Sequence, residues 1–249
     1  MEPGVLFRRL RAMSAAEIFH RLHRLAVDRL SARRALRTAD DIDPSCLESL
    51  ARLGLTANVR KEDWHSAGLD IPVLERAEAL LRGEWTLFGR KLALGAIPDW
   101  QADPFTGSEP AHDSPAPGLP HSQGLDIRSI WELNRLQELV TLGQAYRLSG
   151  ESRYSGRAAK LIDNWSSTNP YLESLNWVNT LEAALRAISL LQTAALCRES
   201  EHFHETSFRG RLAGLLFLHG HFIRAHLSRG STALNHLAGE AAGLTVLGY

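Results

Sequence analysis

Cysteine is nearly absent from this chain. Cys46 and Cys197 are the only two in 249 residues, which excludes a disulfide framework and a cysteine-rich metal site. Long apolar runs are missing as well, and nothing approaches the ~18 residues of a membrane-spanning helix. Net charge is absent: 28 basic side chains balance 28 acidic ones, so the overall charge steers the chain toward neither nucleic acid nor anionic membranes. A secretory signal needs an apolar core behind its basic start, and Arg8, Arg9, Arg11, Arg21 and Arg24 interrupt every such stretch. The expected compartment is therefore the cytoplasm.

What remains is a hydrophobic fraction of 44% in a length suited to one large domain or a domain with an extension. Charge is uneven locally. Residues 1–37 hold nine arginines against Glu2, Glu17 and Asp28. They read as a basic amphipathic helix with Ile18, Leu22, Leu25 and Leu30 on one face, solvated above a packed stripe. Helical segments are expected near 4–12, 14–37, 43–54 and 73–83, so that 1–97 forms an N-terminal helical segment. Residues 98–125 carry six of the ten prolines and no periodic pattern, which makes them a long loop. Trp100 and Phe105 within it are expected to pack, as a wall over a cleft.

From Asp126 to the end the pattern is regular. "DIRSIWELNRLQELVTLGQAYRLSG" reads as one helix with a Ser129–Glu132 capping box and Gly150 as its C-cap. Tyr154, Ala158, Leu161, Ile162 and Trp165 form the stripe of a second helix, which Pro170 stops. A third starts at Asn179, with Glu182 and Arg186 spaced to pair. A fourth covers about 206–228, and a fifth starts near Ser231. Similar lengths, short connections and scarce strand signal predict an all-α stack of antiparallel helical hairpins over 126–249.

Several polar clusters interrupt this packing pattern. "DIRSIWELNR" places Trp131, Asn134 and Arg135 at one helix start, a combination of indole, amide and guanidinium that suits sugar rings, hydroxyls and carboxylates. Taken alone, caps and short-range ion pairs are the favoured account of the same residues. Asn179 as an N-cap leaves Asn176 and Trp177 unexplained. His219, His221 and His226 do not share one helix face with a carboxylate at ligand spacing, so they read as buried or half-buried side chains and no metal is expected there. "STALNHLAGEAAGL" sets Asn235, His236 and Glu240 among small residues. The small residues let helices approach, but an interior asparagine gains nothing for a helix.

Taken in order, "MSAAEIFHRLHR", "PDWQADPFTG", "DIRSIWELNR", "NPYLESLNWVNTLEAALR" and "LSRGSTALNHLAGEAAGL" resemble the N-terminal domain of the heparinase II/III-like polysaccharide lyases. The resemblance spans almost the whole chain. It implies an incomplete α/α toroid, followed in family members by a β-sandwich that is absent here, with any structural metal belonging to that sandwich and no cofactor in this chain. It implies β-elimination on uronic-acid-containing glycans. In that reaction the substrate carboxylate must be neutralised before a base removes the neighbouring proton and an acid assists the leaving oxygen. Neutralisation falls to Asn235, with His236 beside it. Trp131, Asn134, Arg135, Asn176, Trp177 and Glu240 would bind substrate, and Trp131 and Trp177 are expected near one concave surface.

Family members carry their tyrosine acid/base on a later helix, and Tyr249 stands too close to Asn235 to take that role. The chain is thus expected to hold half of a lyase site and to be inactive alone. The implied partner is an acidic polysaccharide or oligosaccharide, with no nucleic acid and no membrane span. The family also makes the periplasm an alternative compartment. Competing readings are a non-catalytic glycan-binding module and an all-helical interaction scaffold.

Overall fold

The computed structural model describes residues 30–53, 60–109, 126–228 and 233–248. The helix expected at 4–12, most of the basic N-terminal helix, the start near Ser231, and Tyr249 lie outside these residues. In chain order the elements are α1 (30–40), α2 (Cys46–Leu53), α3 (Lys61–Ser66), α4 (Asp70–Leu81), β1 (Glu84–Leu87) and β2 (Arg90–Ala93). Then follow α5 (Ile127–Asn134), α6 (Gln137–Ser149), α7 (Ser152–Thr168), a 3-10 turn (Leu175–Trp177), α8 (Thr180–Leu196), α9 (Glu201–His204), α10 (Thr206–Ala225) and α11 (Ala233–Val246). The chain is mostly helical, as expected. Among the described residues no helix is long and apolar enough to cross a membrane.

α8 is the centre of the packing. It is buried on nearly every side, and α6, α10, α11 and α2 all lie against it. Its surface is largely alanine (Ala183, Ala184, Ala187, Ala194, Ala195), so neighbouring backbones approach closely. The pairings fix directions. Gly143 of α6 faces Leu196, while Arg135 just before α6 reaches Glu182, so α6 runs parallel to α8. Gly239 and Gly243 of α11 face Leu181 and Ala184, which makes α11 parallel to it too. Arg186 meets His219 and Thr180 meets His226, so α10 runs the opposite way.

The structure departs from the sequence expectation in three places. The predicted long helix from Asp126 is broken at Leu136, which adopts φ +57 and is itself buried. The break turns Arg135 toward Glu182 and frees the Asn134 carbonyl from helical bonding, and Arg186 uses that carbonyl. The N-cap of α5 is Asp126, whose carboxylate accepts from the Arg128 N–H; the Ser129–Glu132 capping box does not form, because Ser129 lies inside the helix. The antiparallel β1–β2 hairpin was not anticipated. Its two-residue turn, Phe88 (φ +49) and Gly89 (φ +75), has the double positive φ that matches the strand twist. A phenylalanine there carries none of the usual sequence signal.

Two glycines of α10 separate close packing from helix propensity. A Cβ on Gly214 would lie 2.7 Å from the Ala39 carbonyl oxygen of α1, whereas one on Gly210 would meet nothing within 4 Å. Gly210→Ala should therefore raise stability by about 0.5–1 kcal/mol. Gly214→Ala should lower it, because overpacking against backbone costs about 1–3 kcal/mol. Thermal melts of the two variants check the opposite signs.

Candidate functional site

The polar residues of the sequence motifs converge on one buried cation. Arg186 is 0% exposed. Its Nε donates to His219 Nε2 (2.9 Å), one Nη to the Asn134 carbonyl (3.3 Å), and the other Nη to the Asn176 carbonyl (2.8 Å). The guanidinium also stacks over Trp165 (4.5 Å) and Trp177 (5.3 Å). Among the described residues no carboxylate is hydrogen-bonded to it. Burial pushes its pKa down to about 9, with the nearby Glu182 charge opposing, so it remains a cation at neutral pH.

His219 must be the matching tautomer. Its Nδ1–H donates to the Leu215 carbonyl (2.8 Å), leaving the Nε2 lone pair for Arg186. Burial first, and then the Arg186 charge, hold its pKa well below the ordinary histidine value.

This arrangement corrects part of the substrate-binding set. Asn134 (0% exposed), Asn176 (1%) and Trp177 (3%) are core residues. Asn134 Nδ2 donates to the Trp100 and Ile130 carbonyls, and its Oδ1 accepts from Trp165 Nε1. Asn176 Nδ2 donates to Asn169 Oδ1, and Trp177 Nε1 to the Asn169 carbonyl. An isolated arginine needs acceptors and an aromatic cage, and these residues provide and brace them. Trp177 therefore lies on no concave surface, and the expected pairing with Trp131 there fails.

The other expected residues lie around the first turn of α8. Asn179 caps it, accepting from the Leu181 and Glu182 N–H groups. Glu182 is paired by Arg135 (2.7 and 3.0 Å), which also binds Glu132. Trp131 is half-buried beside them, donating weakly to the Leu175 carbonyl at 3.4 Å. On the other side of that turn Leu181 packs on Gly239. Asn235, one turn earlier on α11, is exposed, and His236 is half-buried. Glu240 is buried and accepts from the Ser228 N–H (2.7 Å) and hydroxyl (2.6 Å), which ties the segment before α11 to that helix. Glu240 therefore positions the helix, with both oxygens engaged inside the protein.

Sequence reasoning missed two arrangements. A cleft of about 330 Å³ lies between the β-hairpin and the α5–α6 break, lined by Arg76, Phe88, Glu132, Gln137 and Glu138 among others. Burial, with Glu132 adding repulsion, raises the Glu138 pKa against the pull of its Arg76 partner. The alternation Trp85, Leu87, Leu92 was the available signal for the hairpin wall. Separately, His221 accepts or donates on both ring nitrogens, to Ser31 Oγ (2.9 Å) and Tyr171 Oη (2.7 Å), joining α1, α10 and the loop after α7. Among the described residues no group of three or more His, Cys, Asp or Glu side chains is placed to hold a metal ion. No family model matches the chain, and no curated protein or solved structure matches it either.

The neutral state of His219 has a consequence for stability. The unfolded chain takes up this proton near pH 6.5, while the folded protein refuses it until far lower pH. The unfolded state then holds more protons, so stability is lost as pH falls below about 6.5. His221, also depressed by burial and by the charges of His226 and Arg224, acts in the same direction. Denaturation midpoints at pH 7 and pH 5 should show wild type losing more stability than His219→Gln, which keeps an acceptor without the titration. The expected difference reaches about 1.4 kcal/mol per pH unit.

Proposed function

We propose that this chain is the helical, toroid-type part of a polysaccharide lyase that cleaves uronic-acid-containing glycans by β-elimination. The resemblance in its ordered motifs suggests the family. The observation that supports the reading is that Arg135 reaches Glu182 on the first turn of α8, while Gly239, one turn after Asn235 and His236, packs on Leu181 of that same turn. α6, α8 and α11 run parallel and α10 runs against α8, directions that a toroid of hairpins also has.

In this reading Asn235 donates its amide to the substrate carboxylate. The exposed position on a helix fixed by Gly239, Gly243 and Glu240 allows that contact without rearrangement of the core. His236, half-buried on the same turn, supplies a second donor to the anion. Trp131 offers a partly exposed indole face at the edge. The glycan surface is narrower than the sequence suggested, because Asn134, Asn176 and Trp177 support it from within. The base and the leaving-group acid come from the remainder of the lyase site.

The carboxylate gains charge in the transition state, so the Asn235 bond should strengthen there. In a form of the protein that turns over a uronic-acid polymer, Asn235→Ala should lower kcat by roughly 10²–10³-fold with a much smaller change in KM. Formation of the unsaturated uronate, followed by its ultraviolet absorbance, measures this. Because Asn235 is exposed, the variant should melt like wild type; normal melting with near-normal kcat contradicts the role.

A further inference from the structure

We infer that the outer face of α1 and the last turn of α10 form a basic track for an acidic polysaccharide chain, extending the glycan site proposed above and resting on that reading. Ala35 and Ala39 bury the inner face of α1 against α10. The two helices are antiparallel, with Ala39 against Gly214 and Ser31 bonded to His221. The opposite face of α1 presents Arg33, Arg34 and Arg37 around Leu30, all exposed. Arg224, also exposed, stands in the last turn of α10, beyond the Ser31–His221 contact.

These four arginines have no carboxylate partner among the described residues. Other exposed arginines do: Arg60 with Asp63, Arg82 with Glu84, Arg128 with Asp126, Arg153 with Glu78, and Arg211 with Asp163. Lys61, Arg90, Lys91 and Lys160 are also exposed without a carboxylate partner among the described residues, but they are scattered, whereas Arg33, Arg34 and Arg37 share one helix face. Helical spacing sets Arg33, Arg34 and Arg37 about 5–6 Å from their neighbours. Such a row matches a regularly charged polymer, and guanidinium binds carboxylate and sulfate groups with two parallel hydrogen bonds.

The track points at the site. Past Arg224, α10 ends at His226, whose carbonyl accepts from Thr180 on the first turn of α8. Ser228 then bonds Glu240, on the helix that carries Asn235. At the other end, Asp40, Asp41 and Asp43 terminate the positive strip. A membrane surface fits less well, since the inner apolar side of α1 is spent on α10 and only Leu30 and Leu36 are large apolar residues exposed on its described part. The zero net charge of the chain gives no wider field for nucleic acid.

The test is binding of heparan sulfate disaccharide and octasaccharide by the full chain at low salt. It compares wild type, Asn235→Ala, the combined Arg33→Glu/Arg34→Glu/Arg37→Glu variant, and the corresponding triple glutamine variant as a folding-neutral check. The track predicts that both triple variants weaken octasaccharide binding about tenfold or more. Disaccharide binding should not change, and the salt dependence should become shallower. Asn235→Ala should change either affinity little, because its bond strengthens mainly in the transition state. Equal octasaccharide affinity in wild type and the triple variants overturns the track and leaves the site reading standing. Wild type that binds neither oligosaccharide overturns the site reading and the track with it. Tighter binding of phosphatidylserine vesicles or duplex DNA, lost in the triple variants, assigns the arginines to another partner and also overturns the track.

Discussion

A cation sealed in the core, bonded to no carboxylate among the described residues, constrains everything around it. Arg186 gives up its hydration on the most buried helix of the protein, and that loss is offset only if its N–H groups find acceptors and its faces find π-electrons. The acceptors come from three different segments: the Asn134 carbonyl at the end of α5, the Asn176 carbonyl in the 3-10 turn, and the His219 ring on α10. Trp165 and Trp177 close the cage. Segments far apart in sequence are thus held to α8 by one side chain. The break at Leu136 fits the same account, since an unbroken helix would have kept the Asn134 carbonyl for itself.

The candidate site is a consequence of this core. Because Arg186 fixes α5 and α10 relative to α8, the surface residues at the same end (Trp131, Arg135, Asn235 and His236) have a rigid base. Glu182 is the junction. It is one turn from Arg186 and bonded to Arg135, so the buried cation and the surface ion pair belong to one electrostatic chain. Small residues do the same for α11: Gly239 and Gly243 bring its backbone onto Leu181 and Ala184, and Asn235 is displayed one turn earlier. A site built on packed helices holds its groups more tightly than one on loops.

Much of the helical layout was legible in the sequence. The stripe from Tyr154 to Trp165, the stop at Pro170, the Asn179 cap and the Gly150 C-cap are local features, and the structure has them where periodicity and capping chemistry put them. The failures share a cause, which is that long-range partners override local signals. Asn134, Asn176 and Trp177 looked like sugar-binding residues because polar and indole groups at helix mouths usually face solvent. Nothing in their neighbourhood announces that an arginine ten or fifty residues later will need them. Glu182 and Arg186 were spaced to pair on one helix, yet Glu182 turns to Arg135 and Arg186 to neutral acceptors. The β-hairpin was hidden by Phe88 at a position where asparagine or glycine normally marks the turn.

The most direct measurement of this account is the unfolding free energy of Arg186→Met by chemical denaturation. Methionine roughly fills the space but removes all donors, leaving the His219 lone pair and the Asn134 and Asn176 carbonyls buried without partners. Each unsatisfied group costs about 1–3 kcal/mol, so the variant should lose roughly 3 kcal/mol or more, with a broadened near-ultraviolet tryptophan signal from a loosened cage. Unchanged or increased stability in Arg186→Met, with the tryptophan signal intact, would show that the buried cation is incidental to the fold and contradict the account.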